Sequence, residues 1–123
     1  MANITPTISG VPQVQLLGDI ALQKWEAMLD TDVGLVSSPG YGEFPEKSVQ
    51  VAGTWGAGGE LTLQGTIDGT NFSTLDDKDG NPIVLTADGF RSIRDAVVAI
   101  RPSVTGGDGT TDLDVTVFHR RHG

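Results

Sequence analysis

A chain of 123 residues is long enough for one domain and too short for two of ordinary size. It contains no cysteine, which excludes disulfide bonds and thiolate chemistry. Sixteen acidic against eight basic residues give a net charge of −8, which argues against nucleic-acid binding because phosphate contacts need clustered Lys and Arg. The N-terminus lacks a signal-peptide pattern, and no apolar stretch approaches the roughly 20 residues that span a bilayer. We therefore expect a soluble protein made in the cytoplasm, with neither a nucleic-acid nor a membrane partner.

The first third of the chain has the least definite pattern. Residues 1–14, with two prolines, predict an extended N-terminal arm. Residues 19–29 fit either of two elements. One is a helix with Asp19 as its N-cap. The other is a strand in which the odd positions from Ala21 to Leu29 alternate against Ile20, Leu22 and Lys24. We favour the strand, because the pattern downstream is β. Residues 30–47, rich in Pro and Gly, predict a long loop, and a loop of that length is usually functional or mobile.

Two runs in the middle of the chain alternate apolar with polar or small residues. They cover residues 49–55 and 60–67, and a Gly-rich turn separates them. This period of two is the signature of half-buried strands. We predict that the two runs form a β-hairpin.

The rest of the chain contains further short strands separated by turns that are rich in Asp, Asn and Gly. The apolar run 96–100 predicts a strand buried on both faces, and Pro102 indicates that this strand ends or lies at a sheet edge there. Other predicted strands cover residues 72–75, 82–86 and 113–118. The pattern predicts an all-β fold, a two-sheet antiparallel β-sandwich of jelly-roll type with seven or eight strands. This domain would span residues 15–120, between the arm and a basic C-terminal end at residues 121–123.

Residues suited to catalysis or metal binding are few. The two histidines, His119 and His122, lie at the C-terminal end, where we expect a frayed tail, and no hydrolase, phosphate-loop or zinc-protease motif is present. Residues 77–81 alternate oxygen-bearing side chains but fit no EF-hand frame, so a β-turn is the better interpretation. We expect no enzymatic activity, no cofactor and no metal. Tyr41 and Phe44, in the predicted long loop, suit a protein interface.

Several motifs resemble those of a known family. Residues 47–56, Lys-Ser-Val-Gln-Val-Ala-Gly-Thr-Trp-Gly, are similar to a Ser-Val-Gln-Val-x-Gly-Thr-Phe-Gly run in small virion proteins of tailed phages. Residues 63–72 and 75–81 resemble that family's Gln-Gly-Ser-Asn-Asp-Gly-Thr-Asn-Trp and Leu-x-Asp-x-x-Gly-Asn. Residues 100–111 resemble its closing signature. The similarity covers residues 47–121 and departs conservatively at Trp55, at Phe72 and at residues 66–67; the first 46 residues match less well.

The resemblance implies a decoration (cement) protein of a phage head. Such a protein binds the outer surface of an icosahedral capsid, bridges subunits of the major capsid protein and forms a homo-oligomer, a dimer or trimer. The partner-binding residues we expect are Tyr41 and Phe44 together with the cations Arg91, Arg94, Arg101, Arg120 and Arg121. The alternative is a carbohydrate-binding sandwich module of a tail fibre or spike, with an aromatic platform.

Overall fold

The computed structural model describes residues 13–17, 20–34, 46–95 and 97–120. Nine strands lie in this part of the chain, and it contains no helix. The strands are β1 (Gln13–Leu17), β2 (Ile20–Met28), β3 (Glu46–Thr54), β4 (Glu60–Thr66), β5 (Ser73–Thr74), β6 (Val84–Leu85), β7 (Gly89–Ile93), β8 (Ala99–Thr105) and β9 (Asp112–Arg120). Gln13 and Val14 therefore belong to a strand rather than to the predicted arm, and Glu46 and Lys47 belong to β3 rather than to the predicted loop.

The strands form two antiparallel sheets. The first has the order β1-β2-β9-β3-β7. In the second sheet, β8 pairs with the whole length of one edge of β4. The short strands β5 and β6 pair with the other edge of β4, one after the other along its length. Val33 bridges to Ser103 beside β8. If residues 32–34 are counted as a strand, the chain alternates between the sheets as a jelly roll does. The predicted sandwich is confirmed.

The strand interpretation is correct for Ile20–Met28, but the expected alternation is broken after Trp25. Ala21, Gln23 and Trp25 are buried, whereas Ala27 is exposed and Leu29 is 49% exposed. A β-bulge causes the change: Trp25 pairs with Val115 and Met28 with Leu113, so three steps on β2 match two on β9. Ala27, inside the bulge, has a φ of 54°. The extra residue turns Met28 into the core instead.

The predicted hairpin is wrong, although both of its strands exist. β3 pairs with β7 and β9 in the first sheet, and β4 lies in the second. Residues 55–59 cross between the layers, and Thr111 Oγ1 donates a hydrogen bond to the Trp55 carbonyl at this crossing. Gly56 there has a φ of 71°, which favours glycine. Strands that face each other across a sandwich have the same alternation as strands that pair side by side, so the pattern alone did not separate the two.

Two further strands differ from the sequence prediction. β7 was not predicted, because Gly89–Ile93 contains only two apolar residues. β8 begins at Ala99 and continues through Pro102 to Thr105, while Val98 is 47% exposed, so the predicted buried strand at 96–100 is misplaced. Pro102 is tolerated because its nitrogen faces the sheet edge beside residues 32–34. There Gly34 N–H donates to the Pro102 carbonyl, and Val104 N–H donates to Asp32.

The core lies between the two sheets. The first sheet contributes mainly valines from β3 and β9 with Trp25, and the second contributes leucines and isoleucines. Residues 76–78 run along the outer edge of β7, where Lys78 N–H donates to the Ser92 carbonyl and Arg94 N–H to the Asp76 carbonyl. This segment covers one edge of the first sheet and joins the two layers. The other face of the first sheet remains on the outside of the sandwich.

Candidate protein-binding face

The outside of the first sheet brings together residues from four strands. One row across it contains Leu22, Phe118, Ser48 and Ser92, which are register partners on β2, β9, β3 and β7. The next row contains Lys24, Thr116, Gln50 and Phe90. A third row, Ile20, Arg120 and Glu46, lies at the end of the sheet. These three rows with the adjacent Lys78 are called the outer face below.

The outer face is partly apolar. Phe90 is 68% exposed, although most of its area is hydrophobic. Leu22 and Phe118 are half-buried and line a groove of about 400 Å³ together with Phe90 and the polar Ser48, Gln50 and Thr116. An exposed aromatic beside an open apolar groove is typical of a surface that binds another molecule.

Within these three rows and Lys78 the charges are mostly positive, whereas the next row of the sheet, Asp114 with Ala52, carries an acid. Arg120 forms an ion pair with Glu46, whose carboxylate accepts bonds from both Nε and Nη2 of the guanidinium. Lys24 and Lys78 form no ion pair with any residue that the structure describes. A second groove beside the first is lined by Glu46, Lys78, Ser92, Phe118 and Arg120 among others. Among the residues that the structure describes, Glu46 is the only acid that lines either groove, on a chain whose net charge is −8.

The four described arginines among the predicted partner-binding residues do not form one cluster. Arg91 lies 3.7 Å from the buried Asp77, and Arg94 pairs with Asp76 at 2.8 Å and with Asp95 at 3.5 Å. Arg101, in the second sheet, donates to Gln64 and stacks on Phe72, with its guanidinium carbon 3.8 Å from the ring centroid. Arg120 alone lies on the outer face. Tyr41, Phe44 and Arg121 lie outside the described residues.

The carboxylates of the aspartates in the turns accept hydrogen bonds from backbone N–H groups. Asp68 accepts bonds from the N–H groups of Thr70 and Asn71, which hold the pKa of its carboxyl well below the usual range. The hydroxyl and N–H of Thr110 lower the pKa of Asp108 in the same way. Asp77, in the candidate calcium loop, accepts from Asp79 and Asn81 N–H. This loop is a turn closed by its own carboxylate, and the described residues include no cluster of three or more potential metal ligands.

A separate polar group lies on the inner side of the first sheet. His119 is fully buried in β9, and its Nε2 lies 2.6 Å from Oε1 of the buried Gln23. Burial, and secondarily the positive charge of the nearby Lys47, lower the pKa of His119 to about 3. The expectation that His119 belongs to a frayed tail is therefore wrong, because β9 continues to Arg120. His119 is a neutral core residue at pH 7.

Another surface groove lies near the turn that follows β4. It measures about 440 Å³ and is lined by Gly65, Ile67, Asp68, Asp95 and Val97 among others. Both carboxylates in it are occupied: Asp68 caps its own turn, and Asp95 accepts a bond from Asp76 N–H and pairs with Arg94. None of the described residues that line this groove is a cation, so the groove lacks the combination of apolar and positively charged side chains found on the outer face.

Sequence reasoning missed most of the outer face. Phe90 was overlooked because β7 was not predicted. Phe118 was not identified, although the alternation of Leu113, Val115 and Val117 places it on the opposite side of β9. Lys24 and Lys78 carried no motif. The usable signal was the period of two in β9 and β2, which puts Phe118 and Leu22 on the outer side.

The fold and the face define an all-β jelly-roll domain with one partly apolar, positively charged sheet surface. No helix within the described ranges is long and apolar enough to cross a membrane. No family model matches the chain, and no curated protein matches it. Among solved structures, the crystal structure of the SPBc2 prophage-derived protein YomS is similar, with a TM-score of 0.59 and 15% identity over 85% of this chain and 97% of that one. At this identity the similarity shows a shared fold. The protein NMB1881 from Neisseria meningitidis matches with a TM-score of 0.41 and 9% identity over 89% of this chain and 81% of that one, too low to carry an argument.

Proposed function

We propose that the chain is a structural protein of a phage particle that binds the outer surface of the head and stabilises the shell by bridging capsid subunits. The observation that carries this proposal is the similarity to the prophage-derived YomS, which extends over nearly the whole of that protein. The phage-type motifs at residues 47–121 support it independently, since they come from the sequence alone.

The mechanism would depend on the number of bound copies rather than on the strength of a single contact. A domain of this size presents a small interface, and a single copy would bind weakly. Copies that each touch two neighbouring shell subunits add their contacts across a symmetric lattice, so the assembled layer holds far more tightly than one copy does. This role requires no catalysis, and we propose that the chain is not an enzyme.

The proposal is tested with particles of the phage whose genome encodes the chain. Quantitative mass spectrometry of purified virions is expected to find the protein in a fixed ratio to the major capsid protein. Heads produced without it are expected to bind added purified protein in a sedimentation assay and then to resist heating better. Absence from virions together with no binding to such heads would refute the proposal.

A glycan-binding module of a tail fibre or spike is the second candidate. The observation that favours it is Phe90, an exposed aromatic in the same row as Gln50 and Thr116, because a ring with polar neighbours can stack on a sugar. Saturable binding on a glycan array, lost in Phe90→Ser, would support this role. An array without binding, combined with binding to heads, would exclude it.

A further inference from the structure

We infer that the outer face is the docking surface, and that its partner is a protein surface bearing an apolar side chain flanked by carboxylates. This inference rests on the proposed function and deepens it, since it assigns the contact to one side of the sandwich and states the chemistry of the shell site. It also moves the contact away from the arginines that the sequence suggested.

The apolar part of the partner follows from the groove. Leu22, Phe118 and Phe90 line it, and Phe90 is 68% exposed. The groove of about 400 Å³ is large enough for one or two apolar side chains. Aromatic anchors in such grooves carry most of the binding energy at protein interfaces, while the surrounding polar residues exclude water.

The acidic part follows from charge. Lys78 and Arg120 line the adjacent groove, and Lys24 is the register partner of Thr116, which lines the apolar groove. Glu46 forms an ion pair with Arg120. A protein that carries twice as many acidic as basic residues has here a face with an excess of cations. Such a face attracts a partner with carboxylates at matching positions and steers its approach.

A second copy of the chain fits the face poorly. In a two-fold contact the same patch lies on both sides, so the three cations and one carboxylate of the face would meet an equal excess of positive charge on the other copy. A neutral glycan would leave the two lysines without a counter-charge, and it would gain little from the aliphatic Leu22. An acidic, apolar protein surface satisfies both the groove and the cations.

The test uses full-length protein and heads assembled without it. Phe90→Ser is expected to weaken binding to heads about 10-fold or more, as loss of an aromatic anchor does. The matched control is Ile67→Ser, which removes another exposed apolar side chain, 78% exposed, from a turn of the second sheet. Ile67→Ser is expected to bind as the wild type does, and both variants to melt at the wild-type temperature.

The charge is tested with the double variant Lys24→Gln/Lys78→Gln. Wild-type binding is expected to weaken between 50 and 300 mM NaCl, and the double variant to lose most of this dependence, because exposed charge pairs are screened by salt over roughly 8–10 Å. The matched control is Thr74→Glu/Thr105→Glu, which makes the same change in net charge at two exposed positions of the second sheet. This control is expected to keep the salt dependence of the wild type.

The outcomes separate the two proposals. Failure of the wild type to bind heads would refute the proposed function. Wild-type binding that Phe90→Ser leaves unchanged would refute the docking face alone, and salt-insensitive binding would refute its acidic partner. Loss of glycan-array binding without loss of head binding in Phe90→Ser would assign the face to sugars instead. A wild-type oligomer that Phe90→Ser dissociates, in sedimentation without heads, would assign it to a second copy.

Discussion

Mild acid should destabilise this protein through one buried histidine. His119 has a pKa of about 3 in the folded state, against 6.5 for an ordinary histidine. The unfolded chain therefore takes up a proton below pH 6.5 that the folded chain refuses, so stability is complete above pH 6.5 and falls as the pH drops toward 3. One pKa unit corresponds to about 1.4 kcal/mol, so the free energy of unfolding should fall by about 2 kcal/mol between pH 7.5 and pH 5.

The range from pH 7.5 to 5 isolates this effect from the carboxylates. Asp68 and Asp108 have pKa values below the ordinary 3.8, so the stability they contribute is present above that value and is lost only in stronger acid. Urea unfolding at half-unit pH steps, followed by the fluorescence of the buried Trp25, measures the slope. His119→Gln should flatten the slope, since its amide can still donate to Gln23, and His122→Gln should keep it. A slope that is unchanged in His119→Gln would show that His119 is not the group that titrates.

Three further changes test the scaffold. Ala27→Gly should raise the free energy of unfolding, measured in urea, by up to about 1 kcal/mol, because the bulge holds this residue at a φ of 54°. The control Ala52→Gly, at an exposed position of β3, should lower the free energy of unfolding. A lower free energy of unfolding in both variants would argue against the bulge. Leu63→Ala should cost about 2–5 kcal/mol, since Leu63 is fully buried, whereas Ile67→Ala should cost less than about 0.5 kcal/mol. Asp108→Ala should lower the melting temperature, because Asp108 accepts bonds from Ala57 and Thr110 N–H across the β3–β4 crossing; an unchanged melting curve would contradict that role.

Alternation in the sequence predicted which residues form strands better than it predicted which strands pair. The runs that became β3 and β4 were identified, and Val49, Val51, Leu61 and Leu63 all lie in the core. Their arrangement across the sandwich was not predicted, because pairing depends on contacts distant in sequence. Gly89–Ile93, at the edge of the first sheet, buries only one of its apolar residues, Ile93, so it gave almost no periodic signal. The bulge in β2 shifted the alternation of buried and exposed residues by one position. The sequence did not indicate this bulge, because alanine, which occupies it, is not typical of bulges.

The candidate site was less predictable than the fold for a related reason. Arginine was weighed as a partner-binding residue because of its charge, yet Arg91 and Arg94 both pair with aspartates around the 76–78 segment. A charged side chain is available to a partner when it has no counter-ion within the fold. Whether it has one depends on the folded structure and cannot be derived from the sequence. Lys24 and Lys78 have it within the described structure, although neither differs in sequence from an ordinary surface lysine.

The acidity of the chain has a structural origin that bears on how its surface is interpreted. Seven aspartates accept hydrogen bonds from backbone N–H groups and so hold turns, bulges or strand ends in place: Asp32, Asp68, Asp77, Asp88, Asp95, Asp108 and Asp114. A fold with many short strands has many such turns, and Asp is favoured in them for this bonding. The net charge of −8 therefore reflects the number of turns more than the nature of a partner. Information about the partner lies instead in the outer face, where Glu46 is the one acid among the described residues that line the grooves, and where Lys24, Lys78 and Arg120 exceed it in charge.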